Sequence, residues 1–84
     1  MTMLVHGVPR AATALSLQRY LAQLGQVEAV EPREYAGGVL RLHVAVREPV
    51  SVDDLRGWKE GAGFEPVHAR HDLIEVRLPG ASGF

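Results

Sequence analysis

Residues 39–47, VLRLHVAVR, alternate between apolar and polar side chains, and this alternation constrains the fold more than any other feature of the chain. Alternation with a period of two predicts a β-strand that packs one face on an apolar core and turns the other face outward. The residues expected on the core side are Leu40, Leu42, Val44 and Val46. Such a sheet needs a second layer to cover its apolar side.

A helix predicted at residues 13–25 supplies that layer. Its apolar residues recur at helical spacing, Thr13 or Ser16 can cap its start, and Gly25 can end it. The residues of this apolar stripe are Ala14, Leu17, Leu21 and Leu24.

The remaining segments predict one more helix and several strands. Pro32 cannot donate to a β-ladder, which places strand 27–35 at a sheet edge. Residues 51–63 predict a second, short helix that starts with a capping-box analogue of Ser51 and Asp54 and is held by docking of Trp58. The other predicted elements are strands at 3–8, 65–70 and 73–78, a hairpin turn at 36–38 and a frayed end at 79–84.

This order of elements predicts an α+β, ferredoxin-like βαββαβ sandwich. Its antiparallel sheet would carry both helices on one face, with the first and third strands as central neighbours and with room for an additional C-terminal strand. We expect one domain over residues 1–80 and a flexible tail at 81–84. The uncovered face of the sheet is expected to carry Leu4, His6, Arg41, His43 and His68.

Composition places the chain among small globular domains. It has 84 residues, of which 46% are hydrophobic and 23% charged. The absence of cysteine excludes disulfides, thiolate metal ligands and cysteine nucleophiles. A formal net charge of −1 gives no field that attracts polyanions. We expect no signal peptide and no membrane span, and therefore a cytoplasmic protein.

Three segments follow a known family pattern: VHGV at 5–8, LQRYLAQLGQVEAVEPREYAGGVLRLHVAV at 17–46, and GF at 63–64. This pattern resembles the heavy-metal-associated domain family, in which a Gly-Met-x-Cys-x-x-Cys loop follows the first strand. Gly7 and Val8 stand where the family has Gly-Met, while Arg10 and Thr13 occupy the cysteine positions. The resemblance implies a ferredoxin-like fold. The missing thiolates argue against transport of a soft metal, since a guanidinium repels a cation.

Arg10 is a candidate anion-binding residue. An arginine just before a helix can hold an anion together with the helix amides. Acylphosphatases use such a loop on the ferredoxin-like fold, but they also use an asparagine to orient water, and this chain contains none. The alternative interpretation is an exposed loop arginine.

His6, His43 and His68 are candidate metal ligands. The predicted topology places them on three adjacent strands and on one open face, where imidazoles could bind zinc, nickel or copper. The alternative is a set of separate surface histidines. We otherwise expect no cofactor.

Nucleic-acid binding and catalysis are not expected. The outward positions of the first and third strands carry His6, Arg41 and His43, with no aromatic side chain on which a base could stack. No serine has a base and an orienting acid at motif spacing. Asp53 and Asp54 are better explained as charges at a helix start.

The first helix predicts an interaction surface. Arg19 is the only charged residue between 11 and 26, whereas the outer face of a solvated helix is usually well charged. Leu15 and Tyr20 lie outside the buried stripe and are expected to expose apolar surface. We therefore expect a protein partner or a homodimer, with Leu15, Arg19 and Tyr20 at the contact; the open sheet face and the edge strand near Pro32 are further options.

The sequence thus predicts a non-enzymatic interaction or regulatory domain that self-associates. Two alternatives stay open. One is a histidine-based metal-binding domain, and the other is an amino-acid-sensing domain of the ACT type, which has the same topology and binds its ligands at dimer interfaces.

Overall fold

The structure is a computed structural model that describes residues 1–59 and 63–79 of the chain. The described residues form an α+β domain with one mixed sheet and one α-helix. Its elements are β1 (Thr2–His6), α1 (Ala11–Ala22), β2 (Val27–Ala36), β3 (Val39–Val46), a 3₁₀ helix (Val52–Leu55), β4 (Glu65–Ala69) and β5 (Leu73–Arg77).

The five strands are arranged in the order β2-β3-β1-β5-β4. The central strand β1 pairs antiparallel with β3, where Met3 lies opposite Leu42, and parallel with β5, where Val5 lies opposite Val76. The two edge strands, β2 and β4, each pair antiparallel with the neighbouring strand. The sheet therefore has two edges, and β2 is the longer edge strand with ten residues.

The core lies on one side of this sheet, as the alternation in β3 predicts. Leu42 and Val44 have no solvent exposure, and neither has Leu21 of α1, which packs on that side. The other buried residues of the sheet are Met3, Val5, Val27, Leu40, Ile74 and Val76. The predicted stripe of α1 is confirmed, since Ala14, Leu17 and Leu21 are buried and Leu24 packs partly buried against them.

The predicted caps of α1 are wrong. The helix begins at Ala11 with Arg10 as its N-cap, because the carbonyl of Arg10 accepts hydrogen bonds from the amides of Thr13 (3.1 Å) and Ala14 (3.3 Å). Thr13 is therefore buried inside the first turn. The helix ends at Ala22, before Gly25. No helix in the described ranges has the length and apolar character needed to cross a bilayer.

The predicted two-helix ferredoxin-like layout is also wrong. In the described part of 51–63 only the four-residue 3₁₀ helix forms, although its capping box of Ser51 and Asp54 is present. Trp58 docks on the core, as predicted, and donates from Nε1 to Ser16 Oγ over 3.0 Å. Gly57 lowers the helix propensity of the segment, and docking of Trp58 holds it without a full helix. Residues 60–62 of the predicted helix lie outside the described residues.

The strand order differs from the ferredoxin-like order as well. The additional C-terminal strand, β5, pairs parallel with β1 and leaves β4 at the sheet edge. Strand β5 has buried Ile74 and Val76 on alternating positions, whereas every residue of β4 is exposed and Pro66 lacks an N–H donor. A strand with that composition suits an edge. The tail predicted at 81–84 lies outside the described residues.

Candidate functional site

Leu15 and Tyr35 are exposed large hydrophobic residues that line the same groove. Their relative exposures are 51% and 39%. The groove runs between α1 and the edge strand β2 and has a volume of about 400 Å³. We call it the α1–β2 groove, and its walls include Ala11, Leu15 and Gln18 from α1 and Pro32, Glu34 and Tyr35 from β2. The apolar surface expected on the first helix thus continues onto the neighbouring strand.

Tyr35 reaches this groove because of a β-bulge. The register of β2 against β3 shifts by one residue between Pro32 and Glu34, after which Tyr35 lies opposite the buried Leu40. Strict alternation from Pro32 would have turned Tyr35 to the other face of the sheet. The Tyr35 hydroxyl donates to the carbonyl of Val8 over 2.9 Å, which fixes the ring in place.

Sequence reasoning missed Tyr35. The available signal was an aromatic residue near the end of a strand that Pro32 already placed at the sheet edge. The side that Tyr35 occupies depends on the bulge, which the residue pattern of 27–36 does not reveal.

Tyr20 has a different role from the one predicted. Its hydroxyl donates to the backbone carbonyl of Asp54, and the side chain is partly buried against the core. Five residues along a helix correspond to a rotation of about 140° relative to Leu15, so the two side chains point in different directions. Tyr20 joins α1 to the 3₁₀ helix and lies outside the α1–β2 groove.

Arg19 is exposed one helical turn beyond Leu15, a rise of about 6 Å along α1. Glu34 is exposed on β2 beside the groove, but it lies opposite Arg41 in the ladder, so its side chain is directed toward the open face of the sheet. Within the described ranges, neither Arg19 nor Glu34 lies within 4.0 Å of an oppositely charged group. The α1 side of the groove therefore has a cation, Arg19, that is available to a partner.

Arg10 is exposed at the N-cap, and its backbone is extended with φ −162° and ψ 164°. Its carbonyl starts the helix, while its side chain makes no capping hydrogen bond. The structure therefore assigns a backbone role to Arg10, and anion binding by its guanidinium stays a prediction.

The three candidate histidines do not converge. His6 Nε2 lies 2.5 Å from a carboxylate oxygen of Glu75, and His68 lies opposite Glu75 in the ladder of β4 and β5. His43 lies opposite Thr2, four residues along β1 from His6, a separation of about 13 Å. Among residues 1–59 and 63–79, no three His, Cys, Asp or Glu side chains are grouped so that they could hold a metal ion. The predicted three-histidine site for zinc, nickel or copper is not formed by these residues.

The heavy-metal-associated resemblance remains a prediction from the sequence, and the two-helix fold that it implied is not the fold of this chain. Comparison of the chain with protein-family models, with curated proteins and with solved structures found no match.

Proposed function

We propose that this domain acts through self-association, as a homodimer whose two copies pack across the α1–β2 groove, and that it has no catalytic activity of its own. The observation that carries the proposal is the shared position of Leu15 and Tyr35, two exposed large hydrophobic residues that line one groove. Apolar surface of this kind gains free energy when a partner removes it from water.

A second copy fits this surface because a two-fold axis makes the contact self-complementary. If two α1 helices cross antiparallel with the axis near Leu15, each Leu15 packs against the other groove. The same contact is then made twice, once by each Leu15.

The contact is expected to use side chains rather than strand addition. Edge strand β2 contains Pro32, which has no N–H to donate, and its register against β3 shifts twice. Proline and bulges on an edge strand hinder pairing with a second strand. The groove beside β2 is therefore the better contact surface than the edge of β2 itself.

Size-exclusion chromatography with light scattering tests the proposal. Wild-type protein should show twice the chain mass of 9.2 kDa. Leu15→Glu should show the mass of one chain, because a carboxylate would be buried in the contact. Leu15 is half exposed in the single chain, so the variant should keep its circular dichroism spectrum.

Val67→Glu is the matched control. Val67 is 43% exposed and lies on β4, at the opposite edge of the sheet from β2. Val67 is aliphatic and about as exposed as Leu15, and the substitution adds the same negative charge. This variant should remain dimeric. A wild-type mass of 9.2 kDa at every concentration measured would overturn the proposal. Dissociation of Leu15→Glu and Val67→Glu to the same extent would also overturn it.

A further inference from the structure

A second cleft lies on the open face of the sheet, on the side away from the core. Five residues line it: Thr2 of β1, Arg33 of β2, and Arg41, Leu42 and His43 of β3. Its volume is about 430 Å³. We call it the open-face cleft. Three of its five residues carry basic side chains, in a chain whose formal net charge is −1.

Strand register brings these basic residues together. Arg41 and His43 alternate with the buried Leu40, Leu42 and Val44, so both face away from the core. Glu31 of β2 lies opposite His43 of β3, and Glu34 lies opposite Arg41. Between these two pairs, β2 therefore has one residue more than β3. The bulge between Pro32 and Glu34 accommodates that residue, Arg33, and bulges commonly redirect a side chain at a site.

The charges of the cleft are only partly compensated. Arg33 Nη1 lies 2.8 Å from Glu31 Oε1. Within the described ranges no carboxylate lies within 4.0 Å of the guanidinium of Arg41 or the imidazole of His43. Glu34 lies opposite Arg41 in the ladder and faces the same side of the sheet, but it does not line this cleft. The cleft therefore presents one paired guanidinium, one unpaired guanidinium and one imidazole beside the hydroxyl of Thr2.

We infer that the open-face cleft binds a phosphate dianion, either as inorganic phosphate or as the phosphate group of a small metabolite. A guanidinium offers paired N–H donors whose planar geometry matches two phosphate oxygens. Arg41 supplies such a pair, Arg33 can supply another, and the Thr2 hydroxyl and a His43 ring N–H are further donors. The volume is within the range of small-molecule sites. Arg33 borders both the cleft and the α1–β2 groove, but Thr2, Arg41 and His43 do not line that groove, so the inference does not depend on the proposed dimer.

Two-dimensional ¹H–¹⁵N NMR titration tests this site. Inorganic phosphate, added to wild-type protein at constant ionic strength, should shift the amide signals of Thr2, Arg33, Arg41 and His43 saturably. Sodium chloride should not do so. Glycerol phosphate, a phosphate monoester, should shift the same signals. A lower Kd for the monoester identifies a metabolite as the source of the phosphate, and a lower Kd for inorganic phosphate identifies the free anion.

Arg41→Gln should raise the Kd for phosphate about tenfold, since it removes charge-assisted hydrogen bonds. Arg33→Gln should also raise the Kd and decides the question if Arg41→Gln fails to fold. Arg47→Gln is the control, because Arg47 is exposed just after the same strand and does not line the cleft; its Kd should stay within about twofold of wild type. Three results would overturn the inference: no saturable shift, equal binding of the dicarboxylate succinate, or equal effects of Arg41→Gln and Arg47→Gln.

Discussion

The hydroxyl oxygen of Tyr20 lies 2.8 Å from the position that a Cβ atom on Gly57 would occupy. The same hydroxyl donates to the carbonyl of Asp54, which holds the ring over the 3₁₀ helix. Gly57 does not have a positive φ, so its backbone does not demand glycine. Any side chain at position 57, even a methyl group, would therefore crowd the Tyr20 hydroxyl.

Gly57→Ala should lower the free energy of unfolding by about 1–2 kcal/mol, because the added methyl group displaces the Tyr20 hydroxyl from Asp54. In a Tyr20→Phe background the cost should be smaller, since the ring carbons lie at an ordinary contact distance of 3.6 Å. Urea unfolding, followed through the fluorescence of the single tryptophan, Trp58, measures both values.

The two substitutions should show a coupling energy of at least about 0.5 kcal/mol in a double-mutant cycle. Gly25→Ala is the control, because a Cβ atom there meets no atom within 4 Å. It should change stability by less than about 1 kcal/mol. Strictly additive costs of Gly57→Ala and Tyr20→Phe would show that the Tyr20 hydroxyl does not restrict position 57.

Local periodicity predicted β3 and the buried face of α1 correctly, because each pattern repeats over at least two turns or four alternations. Leu42 and Leu21 are fully buried as their spacing requires. Burial of one face is a property of an amphipathic element itself, so the sequence of that element is enough to indicate it.

The strand order was not predictable in the same way, because it depends on a comparison between two distant segments. Both β4 and β5 have strand-like patterns, but the strand that pairs with β1 is β5, which contains the buried Ile74 and Val76. The extent of the second helix depended on Trp58, whose docking against Ser16 holds a segment that contains Gly57. These outcomes are decided by tertiary packing rather than by propensity.

The bulge at Arg33 explains why the two candidate sites could not be assembled from the sequence. A shift of one residue reverses the face of every later side chain in a strand. Here it places Tyr35 beside α1 and leaves Arg33 in the open-face cleft. The sequence predicted Leu15 and Arg41 on their observed faces and the edge strand near Pro32 as a contact option, but not Tyr35 or Arg33, the β2 residues that the bulge adds to the two sites.

Arg10→Asp should stabilise the protein by about 1 kcal/mol. The backbone of Arg10 is extended, as an N-cap requires, but its side chain accepts no hydrogen bond and the first turn of α1 contains no acid. An aspartate there could accept from the Thr13 amide and would interact favourably with the positive end of the helix. A thermal melt should show a Tm increase of roughly 4–8 °C.

Arg10→Gln separates the capping hydrogen bond from the removal of a positive charge. It removes the cation but is a poor N-cap, so its gain should be less than about half of the gain from aspartate. Equal Tm values for the two variants would show that capping contributes nothing at this position.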